Sequence, residues 1–135
     1  MPVLNKLKII LIASLIFLSG MTHAETVLYT EDKPAILLTP AQPEFVIKLK
    51  SNATTGYSWF LRKYDPHFVQ PVKHVYQAST SQLVGAPGFE LWTFRAKPTA
   101  FIVPQVSAIY FIYARPWENV GQVKELMFKV TTKSH

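Results

Sequence analysis

Apolar and polar residues alternate with a period of two along much of the chain after residue 40. Four segments show this pattern, with apolar positions at Phe45, Ile47 and Leu49, at Trp59 and Leu61, at Trp92, Phe94 and Ala96, and at Leu126, Phe128 and Val130. Glu90, Thr93 and Arg95 are the polar residues that accompany the third set. Successive side chains of a strand point to opposite faces, so each segment predicts a strand with one face on a core. We expect Trp59 and Trp92 to be core residues.

Two further segments refine the fold class. Residues 106–114 are apolar at both parities, which favours a central strand covered on both sides. Residues 67–78 contain Pro71, which cannot donate a hydrogen bond to a sheet, so this segment is predicted to be an edge strand or a bent one. No segment has a helical stripe. About seven short strands separated by turn residues predict an all-β fold, an antiparallel immunoglobulin-like β-sandwich.

The first 24 residues have the pattern of a secretory signal. Lys6 and Lys8 precede an apolar run over 9–18, and Thr22-His23-Ala24 offers small residues for cleavage. The apolar run is short for a membrane span, so an uncleaved anchor is the weaker alternative. We predict a signal peptide over 1–24, cleavage near Ala24, and a secreted or periplasmic domain over 25–135.

Composition excludes several functional classes. The chain has no Cys, which excludes disulfides, thiolate metal sites and cysteine nucleophiles. Without Lys6 and Lys8, 12 basic residues face 8 acidic ones, a net charge of +4. The basic residues are scattered, which is typical of a solvated surface and not of a nucleic-acid footprint.

Catalytic and metal-binding patterns are absent from the sequence of the predicted domain. Its histidines are His67, His74 and His135, and the first two are seven residues apart, on opposite faces of a straight strand. No nucleophile elbow or metalloprotease motif occurs. We therefore predict a protein that is not an enzyme and that uses no metal or cofactor.

Three loop segments carry the candidate functional chemistry, because the loops of a sandwich bind partners more often than its strands do. The first loop is Asn52-Ala53-Thr54-Thr55-Gly56-Tyr57, the second loop is Gly85-Ala86-Pro87-Gly88, and the third loop is Arg115-Pro116-Trp117-Glu118. Small polar residues and Gly make a thin tip in the first loop, although an ordinary hairpin turn has the same composition. Trp and Arg are enriched in binding hot spots, but Trp117 could instead cap the core.

The motifs Asn-x-Thr-Thr-Gly-Tyr-x-Trp, a Gly-rich segment and Arg-Pro-Trp-Glu occur in this order over about residues 40–132. In this the chain resembles the chagasin family of inhibitors of papain-like cysteine peptidases. The resemblance implies a sandwich with all three loops at one end. It implies that the first loop occupies the catalytic cleft of a peptidase and that the other two loops clasp the walls of the cleft.

The chain departs from the family pattern at two positions. Ala53 stands where the family has Pro, so the first loop loses one fixed dihedral angle. Pro87 stands where the family has Gly, which removes an N–H donor and forbids a positive φ.

From the resemblance we expect Thr54 and Thr55 to approach the catalytic residues of the peptidase most closely, Gly56 to set the turn and Asn52 to brace the loop. Trp117 would supply apolar area on a wall of the cleft, with Arg115 beside it. The predicted partner is a papain-like peptidase, bound by a monomer that has no membrane contact in its mature form. The alternative is a secreted immunoglobulin-like module that uses the same loops to recognise another protein or a glycan.

Overall fold

The computed structural model describes residue 20 and residues 25–81, 83–118 and 123–135. The predicted signal segment, apart from Gly20, lies outside the described residues. Eight strands are present in the described ranges: β1 Val27–Thr30, β2 Ala35–Leu38, β3 Glu44–Ser51, β4 Ser58–Lys63, β5 Val69–Gln77, β6 Gly88–Ala96, β7 Val106–Ala114 and β8 Lys124–Thr132. Two short 3₁₀ helices, Ala53–Thr55 and Pro98–Phe101, complete the described elements.

The strands form two four-stranded sheets, which confirms the predicted β-sandwich. The first sheet has the order β1-β3-β6-β5 and the second has the order β2-β8-β7-β4. The described residues form eight strands where about seven were predicted. Their sheets are mixed and not purely antiparallel, because β1 pairs with β3, and β2 with β8, in parallel. The reason is that β2, which comes between β1 and β3 along the chain, lies in the other sheet. The chain crosses over and returns before it adds β3, so β1 and β3 run in the same direction.

The inner faces of the two sheets enclose the core. Its largest fully buried side chains are aromatic and include Trp59, Phe45, Phe94, Phe111 and Phe128. Trp59 is 2% exposed, and its Nε1 donates to the Lys50 carbonyl oxygen at 2.8 Å, so its predicted core position is confirmed. Trp92 points to the same interior but is only partly buried against the core.

Sequence periodicity misplaced one residue of β6. Glu90, which the alternating pattern grouped with the polar face, shares its parity with Trp92 and Phe94 and is 2% exposed. Because side chains alternate strictly along a strand, its inward position follows from the register of β6, and its acidic character did not override that register.

The two remaining strand predictions met different outcomes. β5, which contains Pro71, lies at the edge of its sheet and has a register shift between Pro71 and Lys73, as predicted. β7 does lie between β8 and β4, but only one of its faces is in the core. On its outer face Tyr110 and Ile112 are half-buried, since a two-layer sandwich has no third layer to cover them.

The topology brings the three loops to one end of the sandwich. The chain reverses there between β3 and β4, between β5 and β6, and between β7 and β8. The register agrees, because Ser51 pairs with Gly88 and Ser58 pairs with Ala114 at this end. We call it the loop end.

Within the described ranges, no helix combines the length and apolar character needed to cross a membrane. In the same part of the chain, no three His, Cys, Asp or Glu side chains lie close enough together to hold a metal ion.

Candidate functional site

The first loop is a single 3₁₀ turn held by its own side chains. Asn52 is the N-cap, and its Oδ1 accepts hydrogen bonds from the Thr54 amide at 3.3 Å and from Thr54 Oγ1 at 2.6 Å. Thr55 Oγ1 donates to the Asn52 carbonyl oxygen at 2.7 Å. Asn at an N-cap satisfies an amide that the helix itself leaves without a partner. The predicted bracing role of Asn52 within the loop is therefore present in the structure.

Gly56 ends this turn in a conformation that other residues adopt poorly. Its φ is +77°, in the left-handed region that favours Gly. A Cβ on Gly56 would lie 2.6 Å from Cη2 of Trp117, so the indole ring packs directly over the glycine. The site therefore requires Gly for two independent reasons, one of backbone conformation and one of space.

The third loop is a tight turn that presents Trp117. The Glu118 amide donates to the Arg115 carbonyl oxygen at 3.2 Å, and Pro116 occupies the position of such a turn where its fixed φ is favourable. Trp117 is 71% exposed. The alternative that Trp117 caps the core is therefore wrong, and its outer surface is available to a partner.

Arg115 joins the third loop to the first. Its Nε donates to the Thr55 carbonyl oxygen at 2.9 Å, its guanidinium lies 4.4 Å from the centre of the Tyr57 ring, and an Nη donates to Glu118 at 2.8 Å. The hydrogen bond with Glu118 raises the pKa of Arg115 above its ordinary value. Arg115 is thus a fixed cation whose charge is already partly matched by Glu118.

Tyr113, the penultimate residue of β7, supports the first loop from below. Its hydroxyl accepts a hydrogen bond from the Asn52 amide at 3.0 Å. Its ring stacks on Tyr57 at 5.2 Å and tilts against buried Trp59 at 4.9 Å. The first loop therefore rests on a stack of aromatic rings that continues into the core, and Arg115 of the third loop lies over Tyr57 in that stack. The sequence placed Tyr113 in a strand but gave no sign of this role.

The second loop is built differently. The Ala86 amide donates to the Leu83 carbonyl oxygen at 3.2 Å, which closes a turn over 83–86, and Gly85 adopts a φ of +80° within it. A Cβ on Gly85 would meet no atom within 4 Å. Pro87 is exposed and connects this turn to β6.

Gly88 belongs to the strand and not to the loop surface. It is the first residue of β6, it is buried, and a Cβ there would collide with the Tyr76 hydroxyl and the Gln77 carbonyl oxygen. Its requirement for Gly is close packing against β5.

Sequence reasoning missed two strongly exposed residues that precede the second loop and begin the turn over 83–86. Leu83 is 78% exposed, and Val84 is fully exposed. Both residues come immediately before Gly85. Two adjacent aliphatic residues next to a turn glycine were the sequence signal that could have predicted this exposed turn. Two adjacent exposed aliphatic side chains give this turn an apolar surface that is open to a partner.

Together the three loops present an exposed indole, a thin Thr-Thr-Gly tip and an aliphatic turn on one end of a stiff sandwich. Such a surface can fill a cleft by shape and apolar contact, and it needs no bond-forming chemistry to do so. These are the features of a protein inhibitor or binding module.

The family model described as chagasin family peptidase inhibitor I42 matches residues 39–132. This is more than half of the chain, so the chain belongs to the chagasin family of peptidase inhibitors. The match confirms the family identified from the loop motifs and the prediction that the chain is an inhibitor and not an enzyme. A comparison with curated protein sequences gave no match.

Solved structures share the fold. The cysteine protease inhibitor EhICP2 from Entamoeba histolytica is similar with a TM-score of 0.65 and 20% identity, over 79% of this chain and 95% of that one. Amebosin is similar with a TM-score of 0.60 and 22% identity, over 79% and 97% of the two chains. PbICP-C, solved in complex with falcipain-2, gives a TM-score of 0.57 and 18% identity, over 79% and 90%.

Proposed function

We propose that this protein inhibits papain-like cysteine peptidases by inserting its loop end into the active-site cleft. The observation that carries the proposal is the exposed Trp117, which is packed on Gly56 and joined through Arg115 to the first loop. The first and third loops, which we call the wedge, therefore have their binding shape before they meet a partner. The solved complex of the related fold PbICP-C with falcipain-2 and the name of EhICP2 support the same class of target.

The first loop would lie over the catalytic residues of the peptidase. Thr54 and Thr55 both donate their hydroxyl hydrogens to oxygens of Asn52, and Thr55 Oγ1 also accepts from the Tyr57 amide at 3.4 Å. The remaining acceptor capacity of the two hydroxyls is what the loop would offer to a partner. Acceptor oxygens suit a cleft that holds a protonated imidazole and amide donors. The same internal bonds keep the backbone of the loop in a turn, whereas a substrate binds in an extended form.

The walls of the cleft would be contacted from two sides. Exposed Trp117 would supply a large apolar surface to one wall, and exposed Leu83 and Val84 would supply a smaller aliphatic surface to the other. Since the first and third loops are already ordered by each other, binding immobilises few additional side chains. We expect a dissociation constant in the nanomolar to sub-micromolar range, about −8 to −12 kcal/mol.

The cellular setting is part of the proposal. The pattern of residues 1–24 supports export and cleavage after Ala24, which would release a monomeric inhibitor outside the cytoplasm. N-terminal sequencing of exported protein should begin at Glu25. A sequence that begins at Met1 would contradict export with cleavage.

Titration against papain tests the function directly. We expect stoichiometric loss of peptidase activity and no cleavage of the inhibitor on long incubation. Papain whose cleft is filled by a covalent substrate-like inhibitor is the control, and it should not bind. Equal binding to blocked and free papain would contradict occupation of the cleft. Absence of any binding would favour the alternative of a module for another protein or a glycan.

A further inference from the structure

A buried carboxylate lies directly beneath the loop end. Glu90 is 2% exposed and occupies the inner face of β6, two residues after Gly88. Its Oε2 accepts a hydrogen bond from the Trp59 amide at 2.9 Å, and its Oε1 accepts one from Ser58 Oγ at 3.3 Å. Oε1 also lies 2.8 Å from Nε2 of His74 on β5.

These contacts connect the two sheets. Glu90 and His74 belong to the first sheet, whereas Ser58 and Trp59 begin β4 in the second. Ser58 is the residue that follows the first loop, so the carboxylate holds the chain where that loop returns to the sandwich.

The position of β4 at a sheet edge explains why a carboxylate is needed beside it as a hydrogen-bond acceptor. Among the described strands, β4 lies at the edge of its sheet and pairs only with β7. Amides on the open side of an edge strand have no partner in the sheet. The Trp59 amide is such a group, and Glu90 Oε2 satisfies it. The second oxygen reaches Ser58, so one side chain fixes two consecutive residues of β4.

His74 holds the carboxylate in place from the other side. Its ring stacks on Trp92 with centroids 3.7 Å apart, which fixes the ring plane, and its Nε2 faces Glu90. The side chain of His74 is 39% exposed, so the pair opens to solvent on the His74 side only. Within the described residues, no Lys or Arg side chain is hydrogen-bonded to Glu90.

A buried charge is a poor means of stabilising a core. Well-packed apolar residues of similar size usually stabilise an interior as well as a buried ion pair or better. A hydrogen-bonded charge in such a place instead fixes directions, because each contact has a required geometry. Glu90 therefore fits a positional role better than a role in core stability.

We propose that Glu90, held by His74, is a positioning residue that sets the exit of the first loop and thereby its inhibitory shape. The inference rests on the proposed function of that loop. Glu90 itself touches no peptidase, because the loops lie between it and the outer surface of the loop end.

The test combines inhibition of papain with amide hydrogen exchange followed by mass spectrometry. Glu90→Met removes both acceptors at similar volume. We expect its inhibition constant to rise about tenfold or more, with amide exchange faster in residues 52–59 and unchanged in β7. Glu90→Gln keeps one oxygen for the Trp59 amide, and it should inhibit within about threefold of wild type.

Glu125→Gln is the matched control. Glu125 of β8 contacts Arg62 of β4 at 3.1 Å, and both side chains lie on the surface. It should leave both the inhibition constant and the exchange of residues 52–59 unchanged.

Two results would overturn the proposal. The first is a Glu90→Met protein with wild-type inhibition and wild-type exchange in the first loop. The second is faster exchange throughout both sheets, which would mark Glu90 as an ordinary core residue. If Glu90→Met does not fold, His74→Phe decides, since it keeps the stacking on Trp92 and removes only the contact with Glu90. Its first loop should exchange faster, and an unchanged loop would overturn the proposal.

The exchange measurement separates this inference from the proposed function. If wild-type protein does not inhibit papain, the proposed function fails. Local exchange in residues 52–59 still shows whether Glu90 positions the loop.

Discussion

The first and third loops differ from the second loop in how their shape is maintained. The first and third loops are joined by a hydrogen bond from Arg115 to Thr55, by the packing of Trp117 on Gly56, and by the guanidinium of Arg115 over the Tyr57 ring. The second loop is closed by one backbone hydrogen bond over 83–86, and its most exposed side chains are aliphatic. One end of the sandwich thus combines a rigid wedge with a simpler apolar turn.

This difference predicts that the two regions contribute to peptidase binding in different ways. The rigid pair should determine whether a peptidase cleft is entered at all, because its geometry is fixed in advance. The aliphatic turn should add contact area, and its contribution should vary with the wall that it meets. Substitutions in the two regions should therefore differ in size and in target dependence.

The largest effects should distinguish the wedge from the core on which it rests. Trp59→Ala should cost about 3–5 kcal/mol of the free energy of unfolding, because Trp59 is fully enclosed. Trp117→Ala should leave the melting temperature close to wild type and weaken peptidase binding by about 2 kcal/mol or more. Thermal unfolding and inhibition constants of both variants check this. A large loss of stability in Trp117→Ala, with affinity preserved, would remove Trp117 from the interface.

Substitution of two glycines that have the same backbone conformation, one in each region, allows a direct comparison of the loops. Gly56→Ala and Gly85→Ala both place a side chain at a positive φ, a strain of about 1–2 kcal/mol in each case. Only Gly56→Ala also pushes against Trp117. We expect Gly56→Ala to weaken inhibition by roughly tenfold more than Gly85→Ala does, or about 1.4 kcal/mol. Equal losses in the two variants would show that the contact between Trp117 and Gly56 has no part in binding.

The aliphatic turn should affect affinity without affecting stability. Leu83→Ser with Val84→Ser changes side chains that the fold leaves exposed, so the free energy of unfolding should stay within about 0.5 kcal/mol of wild type. Binding should weaken by about 1–2 kcal/mol, as expected when partial burial of two aliphatic side chains is lost. Measurement against several papain-like peptidases should give losses that differ among targets. If the double variant inhibited every target as strongly as the wild type does, this turn would lie outside the interface.

The smallest expected effect concerns stiffness within the first loop. Ala53 is the first residue of the 3₁₀ turn, and Asn52 before it is extended with ψ of 93°, a combination that accepts Pro. Ala53→Pro should stabilise the protein by about 0.4–1 kcal/mol by restricting the unfolded chain, with inhibition equal or tighter. Thermal unfolding and the inhibition constant measure both effects. Weaker inhibition with an intact fold would show that the bound loop follows a path that Pro cannot adopt.

Local sequence patterns determined the strands and the loop chemistry. Alternation at period two placed Phe45, Ile47 and Phe94 in the core, because the direction of a side chain in a strand depends only on its parity. Pro71 indicated an edge strand for the equally local reason that it lacks an amide hydrogen. The Asn-Thr-Gly composition of the first loop likewise predicted a tight turn, and Asn52 and Gly56 take the expected positions within it.

Only the tertiary structure decided contacts between residues that are distant in sequence. Trp117 packs on Gly56 and Tyr113 binds the Asn52 amide, each across 61 residues, and neither contact has a local signature. Parity turns Glu90 inward, but the partner that satisfies its carboxylate there, the Trp59 amide, lies in the other sheet and has no local signature. The parallel pairing of β1 with β3 depends on the passage of β2 through that sheet. Parity and turn chemistry are properties of neighbouring residues, whereas these features depend on how two sheets are aligned face to face.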